Sequence, residues 1–245
     1  IRYYKVTGVQ TRALPIFRAR LARAEDLVTY ISGFENYGPP RPEETIESMK
    51  ALIRTLFDVN ANVAARQKDY STAVDVRFNA FWKVDNSVQK LIVQIRAAVE
   101  AQFGKKSTEA AIVNRIIKRM REIRIRKAPA NLETPAGQTA ASRSDRKFGT
   151  LTHFFNDIVT TIENTAGYDS TNERVKKQTL KDTAANLSLL NAEVAKKEQE
   201  LKSASDHRLL QYAELKLRAD RIKAYVKGFY GMKSQEYELI KGMRF

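Results

Sequence analysis

The chain has no cysteine and only two histidines, His153 and His207, among its 245 residues. Without cysteine there is no disulfide, no zinc–thiolate site and no cysteine nucleophile, and two histidines are too few for a histidine-rich metal site. Neither histidine follows a glutamate by three positions, so the Glu-x-x-His signature of di-iron bundles is also missing. The sequence therefore predicts no catalytic residue, no bound cofactor and no metal ligand.

Phosphate loops and long apolar runs are missing as well. The tetrapeptide Gly104-Lys105-Lys106-Ser107 ends like a phosphate-binding loop but lacks the upstream glycine and the preceding strand. No stretch approaches the roughly 18 uninterrupted apolar residues of a transmembrane helix, and no charged-then-apolar leader marks a signal peptide. Because 43% of the residues are hydrophobic, the chain has enough apolar side chains to form a buried core. We expect a soluble, cytoplasmic protein that does not bind a membrane.

The first residues resemble the translation of a short-read sequencing adapter. One frame of that adapter reads VTGVQTCALPI, and residues 6–16 match it except at Arg12. We therefore interpret residues 1–16 as a non-native arm from cloning or assembly, and we expect it to carry no function and to pack poorly. A genuine N-terminal arm is the alternative.

An internal repeat organises the rest of the chain. Residues 26–77 align without a gap with residues 157–208, at a shift of 131 positions. Identical pairs include Tyr37/Tyr168, Asn60/Asn191, Ala61/Ala192, Val63/Val194, Asp75/Asp206 and Arg77/Arg208. The match resumes after the second copy loses four residues, with pairs such as Gly104/Gly231 and Ser107/Ser234. Four residues are close to one helical turn, so we interpret the pattern as a tandem duplication of one helical unit.

Both copies have the apolar spacing of long helices. Apolar residues recur at steps of three and four in each copy, at Leu52, Leu56, Val59 and Val63 and again at Leu180, Leu187, Leu190 and Val194. These are heptad positions, which favour helices packed at shallow angles as in a bundle or a coiled coil.

Helix boundaries follow from the residues that break or cap helices. Prolines 39, 40 and 42 end a first short helix, and a long helix is predicted from about Glu43 to Trp82. A turn near residues 85–87 would send a return helix to Phe103. We expect Gly104 and Gly231 to be left-handed C-caps, and Ser107 and Ser234 to be N-caps of a final helix.

The predicted fold class is thus an all-α tandem-repeat helical bundle with long antiparallel helices. Repeat 1 spans residues 17–127, residues 128–147 form a flexible linker with two prolines, and repeat 2 spans residues 148–245. We expect one bundle whose core combines both repeats, with two separate three-helix domains as the alternative.

Several conspicuous side chains are predicted to have structural roles. Tyr37 and Tyr168 should fill the corner after the first short helix with a bonded hydroxyl. Arg77 and Arg208, each two positions after an aspartate, should form ion pairs and packing contacts, and Trp82 should lie in the core or at a hairpin tip.

The net charge of +15 is concentrated in residues 1–25 and in residues 104–147. A helix over residues 108–127 has isoleucines, Val113 and Met120 on one side and basic residues on the rest. It is either a docked helix with a solvated basic surface, a polyanion-binding surface, or an interfacial membrane helix, the last disfavoured because it lacks Trp and Phe. The candidate polyanion contacts are Lys105, Lys106, Arg115, Lys118, Arg119, Arg121, Arg124, Arg126 and Lys127.

The repeats resemble those of a group of uncharacterised bacterial two-repeat helical-bundle proteins. The resemblance is carried by Asn60-Ala61-x-Val63, by Asn191-Ala192-x-Val194 and by the ending from Ala224 to Tyr237, and it extends over about residues 24–245. It implies a helical fold and brings no activity with it. We predict a non-enzymatic structural or protein-interaction bundle, self-association included, with nucleic-acid binding through the basic helix as the alternative.

Overall fold

The computed structural model describes residues 13–123 and 140–245, with side chains from residues 16 and 146 onward. Within those two ranges the chain forms seven α-helices and no β-strand, which confirms the all-α prediction. The helices are α1 (Ala13–Ser32), α2 (Ile46–Trp82), α3 (Val88–Phe103), α4 (Thr108–Glu122), α5 (Ala140–Asn164), α6 (Lys177–Phe229) and α7 (Gln235–Ile240). None of these helices is long and apolar enough to cross a membrane, so far as the described residues go.

The chain divides into two compact units, and the division falls inside α2 and inside α6. The terminal unit comprises the described residues up to Lys68 together with Gln199–Phe245, and the central unit comprises the described residues of Asp69–Glu198. Each unit has its own hydrophobic core. Each core also combines residues from both copies of the aligned sequence, so a core and a sequence copy do not coincide.

The central core is built from α2, α3, α4, α5 and α6. Its most deeply buried side chains include Phe81, Leu91, Ile95, Phe155, Ile158 and Leu187. The core of the terminal unit is built from α1, α2, α6 and α7, and includes Leu27, Ile31, Met49, Leu56, Leu215 and Ile222. Most of the apolar residues at helical spacing in the sequence belong to these cores. Val63 and Val194 are buried but belong to neither core, and Leu190 is half-buried.

The two copies differ where the second is four residues shorter. In the first copy α2 ends at Trp82 and a turn over residues 83–87 leads into α3. In the second copy α6 continues for 53 residues from Lys177 to Phe229. The second copy lacks four residues, about one turn of helix, and it has no segment that corresponds to the loop between α2 and α3.

Most predicted helix ends agree with the structure. A 3-10 turn at Pro42–Glu44 precedes α2, which ends at Trp82 as expected. Ser107 Oγ accepts a hydrogen bond from the Ala110 N–H at 3.1 Å, and Ser234 Oγ accepts one from the Tyr237 N–H at 3.1 Å, so both N-caps are confirmed. Gly104 is not in the predicted left-handed helical conformation, because its φ of 88° is combined with a ψ of 150°. That region is accessible almost only to glycine.

The predicted arm and linker are shorter than the sequence suggested. Helix α1 begins at Ala13, so residues 13–16 are helical, and α5 begins at Ala140, so residues 140–147 belong to a helix. Residues 1–12 and 124–139, which hold the rest of the arm and of the linker, lie outside the described residues. Helix α4 is described to Glu122, whereas the sequence predicted it to residue 127.

Equivalent side chains of the two copies make equivalent contacts. The Tyr37 hydroxyl donates to the Glu44 carbonyl at 2.8 Å, and the Tyr168 hydroxyl donates to the Val175 carbonyl at 2.9 Å, as predicted for the corners. The amides of both paired asparagines also donate to hydroxyl groups: Asn60 to Tyr212 and Asn191 to Thr152, each at 2.8 Å. The duplication itself remains an interpretation of the sequence.

Candidate polyanion-binding face and an adjacent cleft

Helix α4 is held in place by its cap and by one apolar side. Ser107 caps the first turn, Glu109 lies in that turn, and Arg119 and Arg121 lie in the last turn, where each charge complements the helix dipole. The buried side consists of Ala110, Val113, Ile117 and Met120, which belong to the central core. The helix packs against α3 and α5. The opposite side therefore faces solvent.

Three cations occupy that solvent side. Arg115, Lys118 and Arg119 are exposed and stand three and four positions apart, which places them next to one another on one helical surface. We call these three residues the basic face. Among the described residues none of the three has an ion pair or a side-chain hydrogen bond. Their positive charge is not neutralised by the part of the chain that the structure describes.

The nearby acidic groups are engaged elsewhere or too distant. The Glu100 carboxylate, on α3, accepts hydrogen bonds from Arg96 Nε at 2.8 Å and from Asn114 Nδ2 at 3.2 Å. These bonds, that from Arg96 first, hold the pKa of Glu100 below its ordinary value. Glu122 is exposed one turn after Lys118, yet the two side chains form no ion pair. The described acidic side chains thus form no ion pair with the basic face.

The remaining predicted polyanion contacts are distributed differently. Lys105 and Lys106 are exposed in the loop between α3 and α4. Arg121 is exposed three positions after Lys118, and it also lines a cleft beside Met120. Three other predicted contacts, Arg124, Arg126 and Lys127, lie outside the described residues. The structure therefore places Arg121 between the basic face and the cleft.

The cleft beside Arg121 lies within the central unit and has a volume of about 350 Å³. Its lining is apolar apart from Gln89 and Arg121, and consists otherwise of Phe81, Trp82, Val88, Ile92, Val93, Met120, Ile123 and Leu151. Sequence reasoning placed Trp82 in the core or at a hairpin tip and did not predict a cleft. The sequence feature that marks the cleft is the aromatic cluster at the end of α2. The rings of Phe78 and Phe81 lie 4.9 and 5.4 Å from the ring of Trp82.

The histidines do not assemble a chemical site. His153 is exposed, with Nε2 at 3.9 Å from the Asp157 carboxylate, and His207 is exposed beside Gln211 at 3.3 Å. In the described part of the chain no group of three or more His, Asp or Glu side chains is arranged to hold a metal ion. The basic face of α4 and the cleft are thus the two candidate binding features of the described residues.

Comparison with known proteins adds no family. No protein-family model, no curated protein and no solved structure matches this chain.

Proposed function

We propose that the chain is a non-enzymatic binding module that contacts a polyanion, of the nucleic-acid class, through the basic face of α4. The observation that carries the proposal is the exposure of Arg115, Lys118 and Arg119 without a partner among the described residues. Exposed cations that the fold does not neutralise attract phosphates through a long-range, salt-sensitive interaction.

The arrangement suits backbone phosphates rather than base edges. Arg115 and Arg119 are four residues apart, which separates their backbones by about 6 Å along a helix axis. Such a row of cations spans more than one phosphate, since duplex DNA has one negative charge for about every 1.7 Å of its axis. Contacts of this kind position a protein on nucleic acid without selecting a sequence.

The test is fluorescence anisotropy of labelled single- and double-stranded nucleic acid, titrated with the full chain at about 50 and 200 mM salt. Three phosphate contacts give a slope of roughly −2.7 in log affinity against log salt, so affinity should fall about 40-fold over that range. Reversing the face with Arg115→Glu, Lys118→Glu and Arg119→Glu should abolish the salt-dependent binding.

A matched control has the same change in net charge on another surface. Lys202, Lys216 and Lys227 are exposed on α6 and have no ion pair among the described residues. We expect the loss of affinity on changing these three residues to Glu to be at least tenfold smaller than the loss on reversing the basic face. Equal losses from the two triple variants would show that only net charge matters, and no binding by the unmodified chain at low salt would refute the proposal.

A second candidate function is association with a protein partner, including another copy of the chain. The observation that favours it is a pair of exposed leucines on α6, Leu210 and Leu217, which are 68% and 45% exposed. They are seven residues apart and therefore lie on the same helix surface. Self-association is tested by sedimentation of the double variant Leu210→Glu, Leu217→Glu beside the unmodified chain. A dimeric unmodified chain and a monomeric variant would support self-association. A monomeric unmodified chain would refute it.

A further inference from the structure

The cleft of the central unit has a buried apolar floor and an exposed rim. Phe81, Val88 and Leu151 form part of the floor and are almost completely buried by the surrounding chain. Gln89 and Val93 on α3, and Arg121 on α4, are exposed and lie at the rim. The volume of about 350 Å³ lies at the lower end of the range, roughly 300 to 1,000 Å³, of small-molecule sites.

One guanidinium supplies the charge of the described lining. Among the described lining residues only Arg121 is charged, and it has no ion pair or side-chain hydrogen bond with a described residue. The other polar lining residue, Gln89, is neutral. An apolar cavity with a single unpaired cation at its edge is complementary to a molecule with an apolar body and one anionic end.

We propose that this cleft binds a small amphipathic carboxylate. The apolar body of the ligand packs against Trp82, Ile92 and Leu151, and its carboxylate pairs with the Arg121 guanidinium, which presents two parallel N–H donors. Burial of the apolar body supplies most of the affinity, while the ion pair fixes the orientation and selects an anion over a neutral molecule. The inference is distinct from polyanion binding, because it depends on the apolar cleft beside Arg121, whereas polyanion binding is proposed through Arg115, Lys118 and Arg119.

A second cavity, in the terminal unit, does not fit the same ligand. It has a volume of about 300 Å³ and is lined by Val28, Ile53 and Phe57 together with Glu25, Lys50 and Arg54. Its lining thus contains an acid beside the two cations, and Lys50 also pairs with Glu47 at 3.2 Å. An anionic ligand would meet a like charge there.

Trp82 provides the readout, because it is the only tryptophan of the chain. The experiment is a titration of the full chain with sodium decanoate, below the concentration at which decanoate forms micelles, followed by intrinsic fluorescence. Decanol and decyltrimethylammonium serve as neutral and cationic probes with the same apolar chain. We expect a saturable change with decanoate and an affinity about tenfold weaker for either comparison probe.

Variants separate this site from a non-specific effect of detergent-like molecules. Arg121→Gln should weaken decanoate binding about tenfold and leave decanol binding unchanged, whereas Arg119→Gln, a change of the same kind on the basic face, should leave both unchanged. Val93→Glu places a carboxylate at the exposed rim and should weaken decanoate binding alone. Helix content and thermal midpoint, measured by circular dichroism, verify that each variant is folded.

Three results would overturn the proposal. They are the absence of a saturable change with decanoate, equal affinity for decanoate and decanol, and equal losses in the Arg121→Gln and Arg119→Gln variants. None of these results bears on nucleic-acid binding, which depends on Arg115, Lys118 and Arg119.

Discussion

The guanidinium carbon of Arg77 lies 4.1 Å from the centre of the Phe148 ring. Arg208, the equivalent residue of the second copy, lies in the same way over Phe17, at 4.2 Å. Phe17 and Phe148 differ in number by the same shift of 131 that relates Arg77 to Arg208. Each arginine therefore stacks on an aromatic ring from the other copy, a packing contact whose partner the sequence did not predict.

The stacked pair should be measurable as a coupling energy. Arg77 is 2% exposed, so its stem and guanidinium are packed against the central core. In a double-mutant cycle of Arg77→Met and Phe148→Leu, monitored by urea denaturation, we expect a coupling of about 0.5 to 2 kcal/mol. The control cycle replaces Phe148→Leu with Phe154→Leu, a partly buried ring of the same core, and should give a coupling near zero. Equal couplings in the two cycles would show that the stacking adds nothing specific.

Proline at position 210 should disrupt α6. The structure has an uninterrupted helix there, and Leu210 is 68% exposed, so its side chain contributes little to packing. Leu210→Pro should destabilise the protein by about 3 kcal/mol or more, with a loss of helical signal in circular dichroism. Leu210→Ala should change the stability by less than about 0.5 kcal/mol. If proline were tolerated as well as alanine, α6 would not be a continuous helix at this position.

The serines before α3 and α4 should differ in their contribution to stability. Ser107 Oγ accepts the Ala110 N–H, so Ser107→Ala should cost about 1 kcal/mol. Ser87 precedes α3 in the same way but makes no capping bond, and its fully buried hydroxyl has no partner among the described residues. Ser87→Ala should therefore be neutral or stabilising. The stability of each variant is measured from its urea denaturation midpoint. An equal loss of stability in both variants would contradict the different capping geometries.

Glu100 should titrate at lower pH than an ordinary glutamate. Its carboxylate is stabilised first by the hydrogen bond from Arg96, and the effect of Lys105 is the smallest of the lowering contributions. Arg96→Met should therefore raise the pKa of Glu100 towards its ordinary value of 4.5, and Lys105→Met should raise it less. Carbon-detected NMR of the carboxyl group across acidic pH measures both shifts, and a larger effect of Lys105→Met would contradict this order.

The same shift predicts a dependence of stability on pH. Because the folded pKa of Glu100 is depressed, the carboxylate contributes stability above the unfolded pKa, and this contribution is lost as the pH falls through the folded pKa. The unmodified protein should therefore lose more stability on acidification below about pH 4.5 than the Arg96→Met variant, as measured by urea midpoints at several pH values. An identical loss in both proteins would show that the Arg96 bond does not contribute.

Local patterns determined much of the fold. The spacing of Leu52, Leu56, Val59 and Val63 was sufficient for a long buried helix, and the serines at 107 and 234 marked helix starts, because periodic burial and capping depend on residues a few positions apart. The roles of the corner tyrosines Tyr37 and Tyr168 were also predictable from local sequence, since each donates a hydrogen bond to a carbonyl only seven residues away.

Only part of the candidate site could be predicted from such local patterns. The amphipathic pattern of α4 correctly separated the buried Val113 and Ile117 from the exposed Arg115 and Lys118, because one helical period decides which side faces the core. It did not predict that Arg121 also lines a cleft. The cleft depends on side chains of α3 and α5 that lie beside Arg121, such as Ile92 and Leu151.

What the amino-acid sequence determined by itself is the helical class, the repeated pattern and the basic surface of one helix. The tertiary structure decided which helices share a core. The cores combine the two copies because each helix buries its apolar side against whichever elements lie beside it, and both long helices, α2 and α6, contribute residues to both units. These contacts join residues far apart in the chain, so the local spacing of apolar residues does not determine them.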